Sequence, residues 1–254
     1  MDSRLTRRGL LSAAGKAALA GGVWGGITSL IIAGRADAID WEKLLRTAKT
    51  ENFGVVRQLT GRAFSGGRRL KEGSRVESGE RVRVSKGGKV ILLMADKSLF
   101  QMFGPTTLDL LLSMMRQGIL NLLFGSVLSV VPRGNNYLVM GPTGAIGIKG
   151  TVFFRQVFPE DQVMARTMEG QMRTPEGVHD YFCNCHGEVE YQKPETAETF
   201  YNDRSEYHNA FFLDPRTPGL LVKAPMINHN DKLIKAMIDL QEEPKHDATW
   251  LRHA

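Results

Sequence analysis

Two cysteines in 254 residues are too few to staple a disulfide scaffold, so the core of this chain has to come from apolar packing. The compositions of collagen and of bulk disorder are missing as well: 42% of the residues are hydrophobic, 24% are charged and only 10 are proline. Catalytic signatures are also absent. The chain has no Gly-x-Ser-x-Gly elbow, no His-Glu-x-x-His and no phosphate loop ending in Lys-Ser/Thr. The glycine-rich run from Gly144 to Gly150 leads into a strand instead of the helix N-terminus that would aim amides at a phosphate. These absences point away from an enzyme.

The formal charge of +6 does not signal a nucleic-acid binder once its origin is located. Residues 1–38 carry Arg4, Arg7, Arg8, Lys16 and Arg35 against Asp2 and Asp37, and without them 28 Lys+Arg face 25 Asp+Glu, a net +3. The same 38 residues read as an export signal: a basic head, an apolar stretch from Gly9 to Gly34, and Ala36-Asp37-Ala38 with small residues where a signal peptidase inspects them. Arg7-Arg8 is the pair of a twin-arginine signal. Lys16 and the pairs Gly21-Gly22 and Gly25-Gly26 interrupt the apolar stretch, which is milder than a membrane anchor requires. The expectation is a periplasmic protein with no stable membrane span after cleavage and no nucleic-acid partner.

Residues 39–53 read as a short helix and linker, with Trp41-Glu-Lys-Leu-Leu-Arg46 at its centre. Beyond them the periodicity changes to short β-branched or leucine-rich runs closed by glycines, such as Gly54–Thr60, Lys89–Met94, Ser98–Phe103, Gly125–Val131 and Thr151–Val157. Leu108–Phe124 is apolar enough for a helix, but its neighbours favour two strands joined near Gln117-Gly118. Gln192–Asp203 is polar and reads as a loop. Asn230-Asp231 caps a final helix with Leu233, Ile234, Met237, Ile238 and Leu240 on one face.

Within the strand-rich part, Gly125-Ser-Val-Leu-Ser-Val-Val-Pro132 is followed by Ala145, Gly147, Lys149, Gly150, Thr151, Val152 and Phe153, and then by Glu169-Gly170. From about Gly54 to Gly170 the chain resembles the FecR-like periplasmic domain family, whose signature Ala-x-x-Gly-x-x-Gly-Thr-x-Phe it follows from Gly147 to Phe153, with Ala145 one residue closer to the first glycine. The resemblance implies a β domain, a non-catalytic role and a place in envelope or iron-related signalling, with an envelope protein or a cell-wall polymer as partner. Transcription-regulating members carry a cytoplasmic sigma-binding segment before a membrane helix. The export signal in front of this domain leaves no room for one.

The stretch after Gly177 holds both cysteines and all six histidines. Tyr181-Phe-Cys-Asn-Cys-His-Gly187 puts two thiols and an imidazole within four residues, and an extended chain points Cys183 and Cys185 to one side. Thiolate and imidazole suit zinc, copper or iron. His208 and His229 are the natural further ligands; His186 ranks after them, because its place next to Cys185 turns it away. A similar tail in FecR-domain proteins of proteobacteria, with Cys-x-Cys, then His, then Asn-His before a last helix, favours the same group. His179, His246 and His253 read as solvated. Two other uses of the thiols stay open, a redox-active Cys183–Cys185 disulfide and inert thiols. Covalent haem does not, since only one residue separates the cysteines where two are needed.

The sequence therefore predicts a mainly β protein. Glycine-punctuated strands form a twisted β-sandwich or solenoid-like domain over 54–175, followed by a C-terminal Cys/His module with one helix over 176–254. Its expected function is to bind a metal or a protein partner; the alternatives are a thiol/disulfide redox protein and a structural component of the envelope. Replacing Arg7 and Arg8 by Lys is expected to hold the precursor in the cytoplasm, and periplasmic wild-type protein is expected to begin at Ile39. Amino-terminal sequencing checks both.

Overall fold

The computed structural model describes residues 52–113, 117–159, 164–193, 198–214, 221–242 and 245–253. The expected export signal and the short helix expected around Trp41–Arg46 lie outside them. Among the described residues the chain is mainly β, with one helix and one large mixed sheet that does not close into a barrel.

The first half supplies β1 (Asn52–Thr60), β2 (Ala63–Ser65), β3 (Arg68–Arg69), β4 (Arg75–Glu77), β5 (Arg81–Val84), β6 (Lys89–Met94), β7 (Leu99–Ser113) and β8 (Gln117–Val130). Next come β9 (Asn136–Gly141), β10 (Gly144–Val157), β11 (Met164–Thr167), β12 (Gly170–Arg173) and β13 (Asp180–Gln192). The chain then forms β14 (Thr199–Ser205), β15 (Asn209–Leu213), β16 (Leu221–Ala224) and the helix α1 (Asp231–Leu240). The main path of the sheet runs β16-β15-β13-β10-β9-β8-β7-β5-β2-β3, while β11 and β12 form a separate hairpin.

Several expected boundaries shift. The expected strand Ser98–Phe103 is only the start of a longer one, β7, which runs on to Ser113 with a shift of register against β8 between Phe103 and Thr107. The apolar 108–124 stretch is indeed two strands, which pair from Ser113 opposite Gln117. The polar 192–203 segment is not all loop, since β14 pairs with β13 from Gln192 to Gly187. Its exposed edge explains the polar sequence: Thr199, Tyr201, Asn202 and Arg204 face water. Position 175 falls between β12 and β13, and the sheet is continuous across it because β13 pairs with β10.

The strand β10 is the hub. Its first half pairs with β9 and its second half with β8, while β13 lines its other side throughout. The switch of partner falls at Gly150, whose φ of +58° is the left-handed region that glycine occupies freely. A Cβ there would lie 2.6 Å from Arg133 Cα. Further along β10, Arg155 is fully buried; its guanidinium donates to both oxygens of Asp180 at 3.1 and 2.6 Å and to the Val139 and Gly144 carbonyls. Such a pair adds little net stability, because desolvation offsets most of its attraction, but removing one partner leaves a costly buried charge.

Alternation along these strands fills two cores. Val90, Leu92, Phe153, Phe182 and Phe211 point to one, and Ile91, Leu93, Phe154, Tyr181 and Phe212 to the other. The second core is covered by Ile234, Met237 and Ile238 of α1. The sequence places the start and the apolar face of this helix correctly: the Asn230 side chain accepts the Leu233 N–H at 2.9 Å.

Gly150→Val combines a left-handed backbone with a β-branched side chain against a fixed Cα, and is expected to cost about 3 kcal/mol or more. A denaturant midpoint within experimental error of wild type would show that the corner tolerates a side chain.

Candidate metal centre

The pleat of β13 decides where the sulfurs go. Phe182 and Asn184 face one side and Cys183 and Cys185 the other, so both thiols enter the α1-side core with no exposed surface. The register then breaks: Val152 of β10 pairs with His186 while the adjacent Phe153 pairs with Asn184, leaving Cys185 as the extra residue of a bulge. His186 emerges half-buried beside the core and stacks on Trp250, with ring centroids 4.8 Å apart and planes 8° apart.

Two other segments bring in the histidines. His208 precedes β15 with a φ of +38°, a left-handed conformation that is uncommon for a residue with a Cβ, and its N–H donates to the Cys185 carbonyl at 3.0 Å. His229 lies in the turn before α1, buried and stacked on Phe154 at 4.5 Å. The ligand atoms of Cys183, Cys185, His208 and His229 all fall within 4.8 Å of one another. Four of the five residues that the sequence singles out are thus brought together. His186 is not, and its Nδ1 lies 3.3 Å from the Glu206 carbonyl instead.

Three of the donor separations fit the edges of a tetrahedron. The two sulfurs are 3.7 Å apart, Cys183 Sγ is 3.5 Å from His208 Nδ1, and Cys185 Sγ is 3.5 Å from His229 Nε2. A single tetrahedral ion at about 2.3 Å from sulfur and 2.05 Å from nitrogen gives edges of about 3.8 Å for S···S and 3.5 Å for S···N. A two-iron cluster with histidine on one iron and cysteine on the other would spread the pairs further apart than these contacts allow.

The outer partners fix the histidine tautomers. Asp231 can only accept, so His208 donates through Nε2 to Asp231 Oδ1 at 2.8 Å, and in its neutral form it turns the lone pair of Nδ1 toward Cys183. The Ile227 carbonyl likewise takes the Nδ1 proton of His229 at 2.6 Å, leaving the Nε2 lone pair toward Cys185. Asp231 is itself held by the Tyr207 hydroxyl and by the N–H groups of Arg252 and His253. Sequence reasoning takes Asp231 only as a helix-start residue; because Asn230 does the capping, its carboxylate is left for His208.

Burial pushes the Cys183 thiol up, but the Cys185 S–H, His229 and His208 outweigh it and hold Cys183 well below the ordinary thiol range. Burial and the adjacent Cys183 push Cys185 well above that range. For His208 burial acts downward, and Cys183 and Asp231 more than reverse it. Burial raises Asp231, yet His208, the His253 amide and Tyr207 leave it lowered. One thiolate beside one thiol is a pair prepared to lose a proton to a cation.

Two other chemistries fit less well. Residues i and i+2 of an extended strand have Cα atoms about 6.7 Å apart, at the upper limit for a disulfide, so Cys183–Cys185 closure needs β13 to buckle. The relay from Cys183 through His208 to Asp231 has the order of a nucleophile, base and orienting carboxylate. Cys183, however, has no exposed surface, and Cys185 and His229 fill the space a substrate would need.

The remaining histidines are placed differently from one another. His253 is exposed as expected, but His246 is half-buried and bonds to the Val131 carbonyl, and His179 is half-buried because it follows the buried Val178 into β13. Among the described residues, no helix is long and apolar enough to cross a membrane.

No family model matches the chain, and neither does any curated protein. Among solved structures it is similar to a candidate anti-sigma factor from Parabacteroides distasonis, with a TM-score of 0.42 and 11% identity. The similarity covers 57% of this chain and 59% of that one.

Uptake of a divalent ion by these four residues would have to displace a proton from the raised Cys185 thiol and from any protonated His208. Affinity is therefore expected to rise with pH across the neutral range, with acidification of an unbuffered solution on adding zinc. Competition titrations at pH 6, 7 and 8 check the sign, and a pH-independent affinity would contradict it.

Proposed function

We propose that this protein is an exported, non-catalytic protein of the bacterial envelope that binds one transition-metal ion through Cys183, Cys185, His208 and His229. The observation that carries the reading is the match of three donor separations, 3.7, 3.5 and 3.5 Å, to the edges of a single tetrahedron. Zinc is the ion of choice. Two thiolates and two neutral imidazoles around a divalent cation sum to zero charge, which an apolar core accepts, whereas copper(I) would leave one negative charge buried. Ferrous iron meets the same charge condition and ranks second.

Four protein ligands close the coordination sphere and leave no position for a reacting water, which favours a structural or sensing ion over a catalytic one. The FecR-like signature around Gly150 supports envelope signalling as the setting, with an envelope protein or a cell-wall polymer as partner. Twin-arginine export suits a centre filled before transport, since that route carries folded proteins.

Purified protein is expected to carry about one metal ion per chain by elemental analysis. Single Ala substitutions at Cys183, Cys185, His208 and His229 should each lower metal content and Tm, because binding to the folded state alone adds about 2.7 kcal/mol at a hundredfold excess over Kd. His186→Ala should keep the ion. Full occupancy in both Cys183→Ala and His208→Ala would overturn the assignment. A mass two hydrogens below the dithiol, with no metal, would put the redox reading in its place.

A further inference from the structure

His208 is the one ligand on the solvent side of the centre. Cys183, Cys185 and His229 lie under Phe154 and α1, while the outer side of His208 meets Tyr207, at 4.6 Å between ring centroids, and Trp250, at 5.9 Å. Trp250 belongs to residues 245–253, a segment with no strand or helix of its own. Its attachments converge on the metal centre. The Arg252 and His253 N–H groups donate to Asp231 Oδ2 at 3.0 and 2.8 Å, the Trp250 ring lies flat on His186, and the Arg252 guanidinium sits 4.2 Å above the Tyr207 ring. Farther back, His246 bonds to Val131 and Gln241.

One carboxylate thus serves two masters: Asp231 Oδ1 takes the proton of a metal-ligating imidazole, and Oδ2 takes two amides of the covering segment. Coordination at Nδ1 fixes the His208 ring and keeps its proton on Nε2, which in turn fixes the carboxylate the segment needs. Two binding events that share such a group are coupled, and the coupling is reciprocal.

We infer that residues 245–253 form a metal-dependent gate: an ion in the centre latches the segment over His208 through Asp231, and the latched segment slows exchange of the ion. The inference rests on the metal-binding reading above. It also assigns Asp231 as a positioning residue for both. With the ion removed, the latch loosens and the half-buried Trp250 ring and the His186 face it stacks on become available to solvent.

The test uses the full chain loaded with zinc. Hydrogen exchange at the amides of residues 250–253 is expected to speed up at least tenfold when a chelator strips the ion and to recover when zinc is restored. Zinc release to a fluorescent indicator is expected to be at least tenfold faster in Trp250→Ala and in a chain ending at residue 244, with stoichiometry still near one. The point variant keeps the test valid if the shortened chain misfolds. Zinc bound one to one with unchanged protection at 250–253, or unchanged release from Trp250→Ala, overturns the gate and leaves the metal centre standing. A wild-type chain that takes up no metal overturns both.

Discussion

A strand buried on both faces cannot choose freely which side chains it shows to which core, and β13 lives under that constraint. Its pleat sends Phe182 to one core and Cys183 to the other, and Asn184 faces away from the sulfurs, donating to Asp203 and to the Gly187 carbonyl. Everything at the centre follows from that alternation. Two thiols reach the same face at a spacing set by the strand, and the bulge at Cys185 then turns His186 out of the way. The two imidazoles come from loops, which can adapt; the sulfurs come from the sheet, which cannot.

The frame that holds β13 in register is itself simple. The hub strand β10 lies along it from Ala145 opposite Gln192 to Val157 opposite Asp180, and the buried pair of Arg155 and Asp180 pins the far end. A slip of one residue would separate that pair and exchange the contents of the two cores. The corner at Gly150 lets the same strand satisfy β9 and β8 in succession, so the centre depends on a glycine that it never touches.

Much of this was legible in the sequence, for identifiable reasons. Glycine-bounded apolar runs announce strands because turns with positive φ need glycine, as at Gly66, Gly73 and Gly87. Cys-x-Cys announces two thiols on one face because the strand period is 2. The choice of His208 and His229 drew on ligand chemistry and on a resembling tail. What stayed hidden was tertiary. The chain shows no local sign that Asp231 serves His208, since a carboxylate at a helix start has an ordinary explanation already. Nor does polarity betray β14, because an edge strand with a wet face looks like a loop. His246 misleads in the opposite way, being a polar residue that lies in a coil yet docks on Val131.

The order of the ligands along the chain has a consequence for the unfolded protein. Cys185, His208 and His229 stand 23 and 21 residues apart, so an ion held by all of them closes two loops of middling length. By the loop-closure estimate used for covalent cross-links, a ring of about 15 residues already removes about 3 kcal/mol of chain entropy from the denatured state. On the proposed reading the ion would be a reversible staple, tying β13, the start of β15 and the approach to α1 into one cooperative unit. If the chain is exported as proposed, it would reach the end that secreted proteins reach with a disulfide, but with a cross-link that opens according to how much metal is available.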